Sequence, residues 1–129
     1  QPMTRNVSER LERDLSARRG SFMAIWIAPI AFAGLVTLFV SQPAWVAPGA
    51  WTAAFLWMGG ACLLNARRCR RLHCYFSGPI LLMGALTALA LAAGMADLGA
   101  NGLTATIATT LAHAGLTYGL EYVWGKYRP

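Results

Sequence analysis

Apolar positions follow two patterns along this chain. Over the first twenty residues they are sparse and periodic: Val7, Leu11 and Leu15 recur at four-residue steps among arginines and acids. That spacing predicts an amphipathic helix lying on a surface, with a solvated tail as the simpler alternative. Beyond it, apolar residues are nearly continuous. Uncharged stretches run from about 21 to 41, 48 to 66, 77 to 95 and 101 to 122. Each is close to the roughly 20 residues that a helix rising about 1.5 Å per residue needs to cross about 30 Å of hydrocarbon. The expected fold is all-α: an integral membrane four-helix bundle with an N-terminal amphipathic surface helix. Residues 1–20 form a cytoplasmic tail, 21–122 the membrane domain and 123–129 a second tail. The fourth stretch is the least apolar, because threonines, His113 and Glu121 interrupt it. Three spans and one interfacial helix are the alternative.

Within this pattern, Pro29 lies inside the first span and predicts a packing kink, since it removes an intrahelical hydrogen bond. Ser77, Gly78 and Pro79 read as the cap and first turn of the third span. Gly84, Ala88 and Ala92 then set a small-residue stripe for close helix contact. Trp45 and Trp51 flank one short loop, and Tyr118, Tyr122, Trp124 and Tyr127 crowd the end of the last span; all six read as interfacial anchors. Asp97 reads as a turn cap.

Composition agrees with the pattern, and charge orients it. The 129 residues are 57% hydrophobic and 12% charged, about half the charge of a typical soluble domain. All 11 basic residues fall on one side of a four-span arrangement. Arg5, Arg10, Arg13, Arg18 and Arg19 precede the first span, Arg67, Arg68, Arg70 and Arg71 lie between the second and third, and Lys126 and Arg128 follow the fourth. That side is the cytoplasmic one, which puts both termini on the cytoplasmic face of the expected inner membrane. A three-span arrangement would move Lys126 and Arg128 to the wrong side. The first apolar run is too long, and too far from the start, for a cleaved signal peptide. Despite a pI near 9.9, nucleic acid is not an expected partner. The positive charge is what the topology rule requires, and its expected partners are the bilayer and the anionic lipids of the cytoplasmic leaflet. A homo-oligomer or a larger membrane complex also fits.

Chemistry-bearing residues concentrate after the second span. Cys62, Cys69, Cys74 and His73 lie between positions 62 and 74. A helix continued past Ala66 would place Cys62, Asn65, Cys69 and His73 on one face, with Cys74 pointing away unless a loop brought it round. Thiols and an imidazole are the ligands that soft cations select, so Cys69, His73, Cys74 and Cys62 are candidate metal ligands, and a soft metal ion is the candidate cofactor or cargo. Arg67, Arg68, Arg70 and Arg71 favour a nearby thiolate and can hold an anionic lipid or substrate. A reduced compartment argues against a structural disulfide. Against the metal reading stand the absence of any CxxC pattern and the simpler role of Cys62 as a small buried side chain.

The run Asn65-Ala66-Arg67-Arg68-Cys69, followed by Arg71, His73-Cys74, Phe76 and Gly78-Pro79, resembles the signature of a family of small, mostly uncharacterised bacterial integral membrane proteins. Arg70 stands where that pattern has a small residue such as glycine. In general architecture the chain is also similar to the small transporters of bacterial mercury resistance, although it lacks a cysteine pair in the first span. That likeness implies soft-cation handling and transfers no residue roles.

The last span carries a second polar feature. Thr106, Thr110, His113, Thr117 and Glu121 follow spacings of three and four, giving one polar stripe. Such a stripe reads as an interhelical hydrogen-bond seam or as a conduction path facing the bundle interior, with His113 near mid-membrane. Glu121 is expected to pair with an arginine of the central loop. No phosphate loop, GxSxG, HExxH or CxxCH motif is present. Three function classes remain: a transporter or handler of a soft heavy-metal cation, an accessory or assembly subunit of a membrane complex, and a small membrane enzyme using a cytoplasmic cysteine or an anionic substrate.

Overall fold

The computed structural model describes residues 2–15, 17–125 and 127, and the side chains of these from residue 8 onward. The side chains of Arg5 and Val7, together with Lys126 and Arg128, lie outside the described residues. Helix α1 spans Pro2–Arg13, α2 Arg19–Phe22, α3 Ala28–Phe39, α4 Val46–Cys69, α5 Leu72–Ala92 and α6 Gly102–Trp124. A π-helical stretch, Met23–Ile27, joins α2 to α3. There is no strand among the described residues, only an isolated antiparallel bridge between Arg71 and Tyr127.

Three segments are long and apolar enough to cross a membrane: Arg19–Phe39, Val46–Cys69 and Leu72–Ala92. The fourth long helix, α6, is 23 residues long but is diluted by the polar residues noted above. The long helices pack in chain order, α3 on α4, α4 on α5 and α5 on α6, with α1 against α4. Their outward faces carry large apolar side chains: Leu35, Leu38, Phe39, Met83, Leu86 and Leu116 are all more than half exposed.

Close approach depends on glycine at three places. A Cβ on Gly59 of α4 would lie 3.0 Å from Leu82, and one on Gly78 of α5 would lie 2.7 Å from Leu63. On the other face of α5, a Cβ on Gly84 would come within 2.5 Å of Thr110. Gly84 and Ala88 of the expected stripe are both buried, so the stripe is an interhelical contact.

The π-helical stretch explains how Pro29 is tolerated. Ala28 donates its N–H back to Met23 O. In that register the next residue, Pro29, would serve Ala24 O but has no N–H. Trp57 on α4 takes its place, donating from Nε1 to Ala24 O at 3.0 Å.

Two boundaries differ from expectation. Helix α4 runs on to Cys69, and Arg70 then caps it in the left-handed region with φ 56° and ψ 37°. Helix α5 begins at Leu72, so Ser77, Gly78 and Pro79 lie inside it rather than at its start. Pro79 is exposed and lies beyond the first turn of α5, where it lacks the N–H that a helix interior donates to the carbonyl four residues back, and the helix continues across it. Of the expected aromatic anchors, Trp45, Tyr122 and Trp124 are exposed, whereas Trp51 is buried. Its Nε1 donates to Thr37 Oγ1 at 3.0 Å. Asp97 does cap its turn, accepting from Gly99 N at 2.9 Å.

Candidate functional site

The two-residue connection between α4 and α5 reverses the chain so tightly that the last turn of one helix faces the first turn of the other. Cys62, Asn65 and Cys69 lie on one buried face of α4, as the helical spacing requires. His73 is not a continuation of that face. It opens α5, where His73 and Cys74 are both fully buried against α4. Cys74 is therefore turned inward, because the Arg70 reversal replaces the continued helix that would have pointed it away.

Arg71 is the centre of the charge arrangement. It is 7% exposed, forms an ion pair with Asp14, and its Nε donates to Glu121 Oε1 at 2.8 Å. Its pKa is raised: burial alone would depress it, but the Glu121 and Asp14 carboxylates outweigh that. The pairing of Glu121 with a loop arginine is as expected from sequence. Tyr127 OH donates to Asp14 Oδ2 at 3.0 Å. Burial, and then this bond to a carboxylate, push the Tyr127 phenol up, so it remains a donor at neutral pH.

From Glu121 a chain of hydrogen bonds runs inward. Glu121 Oε1 lies 2.6 Å from His73 Nδ1, and His73 Nε2 lies 3.3 Å from Cys74 Sγ. A carboxylate can only accept, so Nδ1 carries a hydrogen, and in the neutral ring Nε2 is the acceptor facing Cys74. Cys62 on α4 and Cys74 on α5 are both buried in the core where these two helices pack together. Tyr118 stacks on His73 with ring centroids 3.8 Å apart, and Trp26 lies against both rings, with centroids 6.5 Å from His73 and 5.8 Å from Tyr118. Tyr118 OH and Trp26 Nε1 are buried without a hydrogen-bond partner among the described residues, which marks this pocket as incompletely satisfied. A cavity of about 380 Å³, lined by Arg71, Tyr118, Glu121 and Tyr122, borders the arrangement.

Asn65 ties the N-terminal segment to the same place. Its Nδ2 donates to Asp14 Oδ1 at 2.9 Å, and its Oδ1 accepts from Leu15 N at 3.0 Å. Cys69 belongs to Asn65 rather than to the other thiols, donating to Asn65 O at 3.1 Å. Thiolate activation of Cys69 by flanking arginines is not the arrangement observed. Arg67, Arg68 and Arg70 are exposed, while Cys69 is buried and its S–H is occupied by a carbonyl.

Asp14 and Asn65 are the residues that sequence reasoning did not single out as site residues. One signal for Asp14 existed: it is three positions after Leu11, on the apolar face of the periodic N-terminal segment, where a carboxylate needs a partner. The C-terminal end of that segment is consequently anchored. Leu15 packs against the core, and Asp14 is fully buried.

The polar stripe of α6 divides. Thr106, Thr110 and Thr117 are buried, and Glu121 joins the site. His113 is exposed at the edge of the stripe and does not face the interior, its Nδ1 lying 2.7 Å from Thr109 O. Among the described residues, no three His, Cys, Asp or Glu side chains are grouped to hold a metal ion. Comparison of the chain with protein-family models, curated proteins and solved structures gave no match.

Proposed function

We propose that the chain is a four-span inner-membrane protein, with both termini and the Arg67–Arg71 loop in the cytoplasm, that takes up a soft cation on the Cys62–Cys74 thiol pair. Membrane insertion is supported by the exposed leucines, phenylalanines and methionines of the long helices, which water would not tolerate as so extensive a surface. The sidedness of the basic residues supports the orientation. In α6, Thr106, Thr110 and Thr117 are turned inward and Glu121 is paired with Arg71, while Thr104, Thr109 and His113 stay on its exposed face. Cysteines introduced at Ala47 and Ala100 are expected to react with an impermeant maleimide from outside intact cells. Labelling of either one only after permeabilisation would refute the four-span topology.

One observation carries the functional reading: two buried thiols sit on facing helices, and an imidazole held by a carboxylate brings its Nε2 to 3.3 Å from one of them. Thiolates are the ligands of soft cations, and a pair suffices for a cation that takes two ligands in line. That reconciles the reading with the lack of a three-residue cluster. Binding a divalent cation releases two protons, one accepted by His73 Nε2 and the other by water. Size favours an ion over an organic substrate. Cys62 is 1% and Cys74 0% exposed, so an acyl group would have to part α4 from α5 to reach them.

The test is titration of the purified, reduced protein with Hg(II), following thiolate-to-metal absorption. One ion per chain is expected, lost in Cys62→Ser and in Cys74→Ser and retained in Cys69→Ser. No ion retained by the unmodified protein, or equal loss in Cys69→Ser, would remove the reading. The order Cys74–His73–Glu121 also matches the nucleophile, base and orienting acid of thiol acyl transfer. An acyl adduct on Cys74 in the intact mass of the purified protein would favour that second reading.

A further inference from the structure

The clamp formed by Asp14 has a consequence on the opposite, solvent side of α1. By fixing residues 14 and 15 to Asn65 and Arg71, it forces the last turn of α1 against the end of α4. Both segments are basic. Arg10 and Arg13 from α1 meet Arg67, Arg68 and Arg70 around a cavity of about 170 Å³, with Glu9 the one carboxylate and Cys69 the one thiol in its lining among the described residues. Five guanidinium groups against one carboxylate repel one another, and a buried ion pair holds them together regardless. The volume of this notch is that of about five or six waters at about 30 Å³ each, enough for a tetrahedral oxyanion with part of its hydration shell.

The geometry points to a binding site for a phosphate group at the junction of α1 with the α4–α5 turn, read by Arg10, Arg13, Arg67, Arg68 and Arg70. Guanidinium forks match phosphate oxygens two at a time, which an ammonium cannot do. The left-handed conformation of Arg70 breaks the helical direction after Cys69, so that its side chain joins those of Arg67 and Arg68 on one lining rather than following the helix around. The phosphate has two sources, a phospholipid headgroup at the cytoplasmic surface or a free phosphate ion. Only the first depends on the membrane placement proposed above. The site does not depend on the thiol chemistry.

Two probes separate the sources. The purified full chain is placed in neutral detergent with inorganic phosphate, and in nanodiscs of phosphatidylcholine containing either phosphatidic acid or a matched fraction of a cationic lipid. The readouts are the melting temperature and the lipid retained in native mass spectrometry. The proposal expects either phosphate or phosphatidic acid to raise the melting temperature, and Arg13→Gln with Arg67→Gln to weaken that ligand by about tenfold or more, the factor for one charge-assisted hydrogen bond. Stabilisation by phosphate in detergent assigns a free ion. Retention of phosphatidic acid without a phosphate effect assigns a headgroup. Arg19→Gln, an exposed basic change outside the notch, is the control for general charge. Because all the lining arginines but Arg10 are exposed, the double variant is expected to keep its helical circular dichroism. Binding that is unchanged in that variant, or reduced equally in Arg19→Gln, overturns the site, as does failure of both ligands to stabilise the unmodified chain.

Discussion

Replacing Arg71 with methionine removes the one cation that two buried carboxylates share. At an effective dielectric of about 20, a charge pair at the 2.8 Å seen between Arg71 and Glu121 attracts by about 6 kcal/mol. Against it stands the desolvation of each ion, several kcal/mol apiece, so the intact cluster contributes little net stability. Breaking it is different. Arg71→Met leaves Asp14, fully buried, and Glu121 without their counterion, and such stranding costs about 3–5 kcal/mol. That is a large share of a typical total of about 5–15 kcal/mol. The same substitution in an Asp14→Asn, Glu121→Gln background should be neutral or stabilising, because there Arg71 is itself the unpaired charge. Equilibrium unfolding of the purified chain in mixed micelles, followed by the fluorescence of its 5 tryptophans, measures both steps. An equal cost in the two backgrounds would show that Arg71 acts by packing, through its stem and its position 5.9 Å over the Tyr127 ring, and would refute the electrostatic account.

Three further outcomes are expected. All three thiols are buried, so Cys62, Cys69 and Cys74 should alkylate at least about a hundredfold more slowly in the folded chain than after unfolding in SDS, as an opening cost of about 3 kcal/mol dictates; rapid reaction of Cys69 in the folded state would show that its bond to Asn65 O is not maintained. Gly84→Ala should cost about 1–3 kcal/mol through overlap with Thr110, and Thr110→Ala should recover part of it; a Gly84→Ala protein of unchanged melting temperature would mean that α5 and α6 are farther apart than described. Arg70→Gly should stabilise by about 0.5–1 kcal/mol, since relief of the left-handed conformation exceeds the entropy glycine adds to the unfolded chain; a lower melting temperature would mean that the arginine side chain makes contacts worth more than that strain.

The long helices were legible because charge and apolarity are segregated so completely along the chain. Their ends were less so. Pro79 looks like a first-turn residue, and only the tertiary pairing of α5 with α4 shows that the helix starts at Leu72 and passes through it. The thiols and His73 were legible as a group by proximity in sequence, but their pairing was not. Whether Cys69 or Cys74 faces Cys62 depends on one backbone reversal at Arg70, and a left-handed arginine carries no local signal. His113 was placed inside by its threonine neighbours. The buried line in fact passes through Ala114, one residue on. Asp14 was the most informative residue to overlook, because a carboxylate on an apolar stripe reports a distant partner without saying which.

The Asp14 clamp also sets a clock. Its parts come from three separate stretches of the chain, the farthest contact joining residues 113 positions apart. At about 5–20 residues per second, a ribosome delivers Asp14 roughly 6–20 s before Tyr127. For that interval Arg71 has at most one of its two carboxylates, and the first helices wait beside an unfinished charge cluster. Only once the stretch that carries Glu121 and Tyr127 has been made can the cluster be completed and its charge balanced.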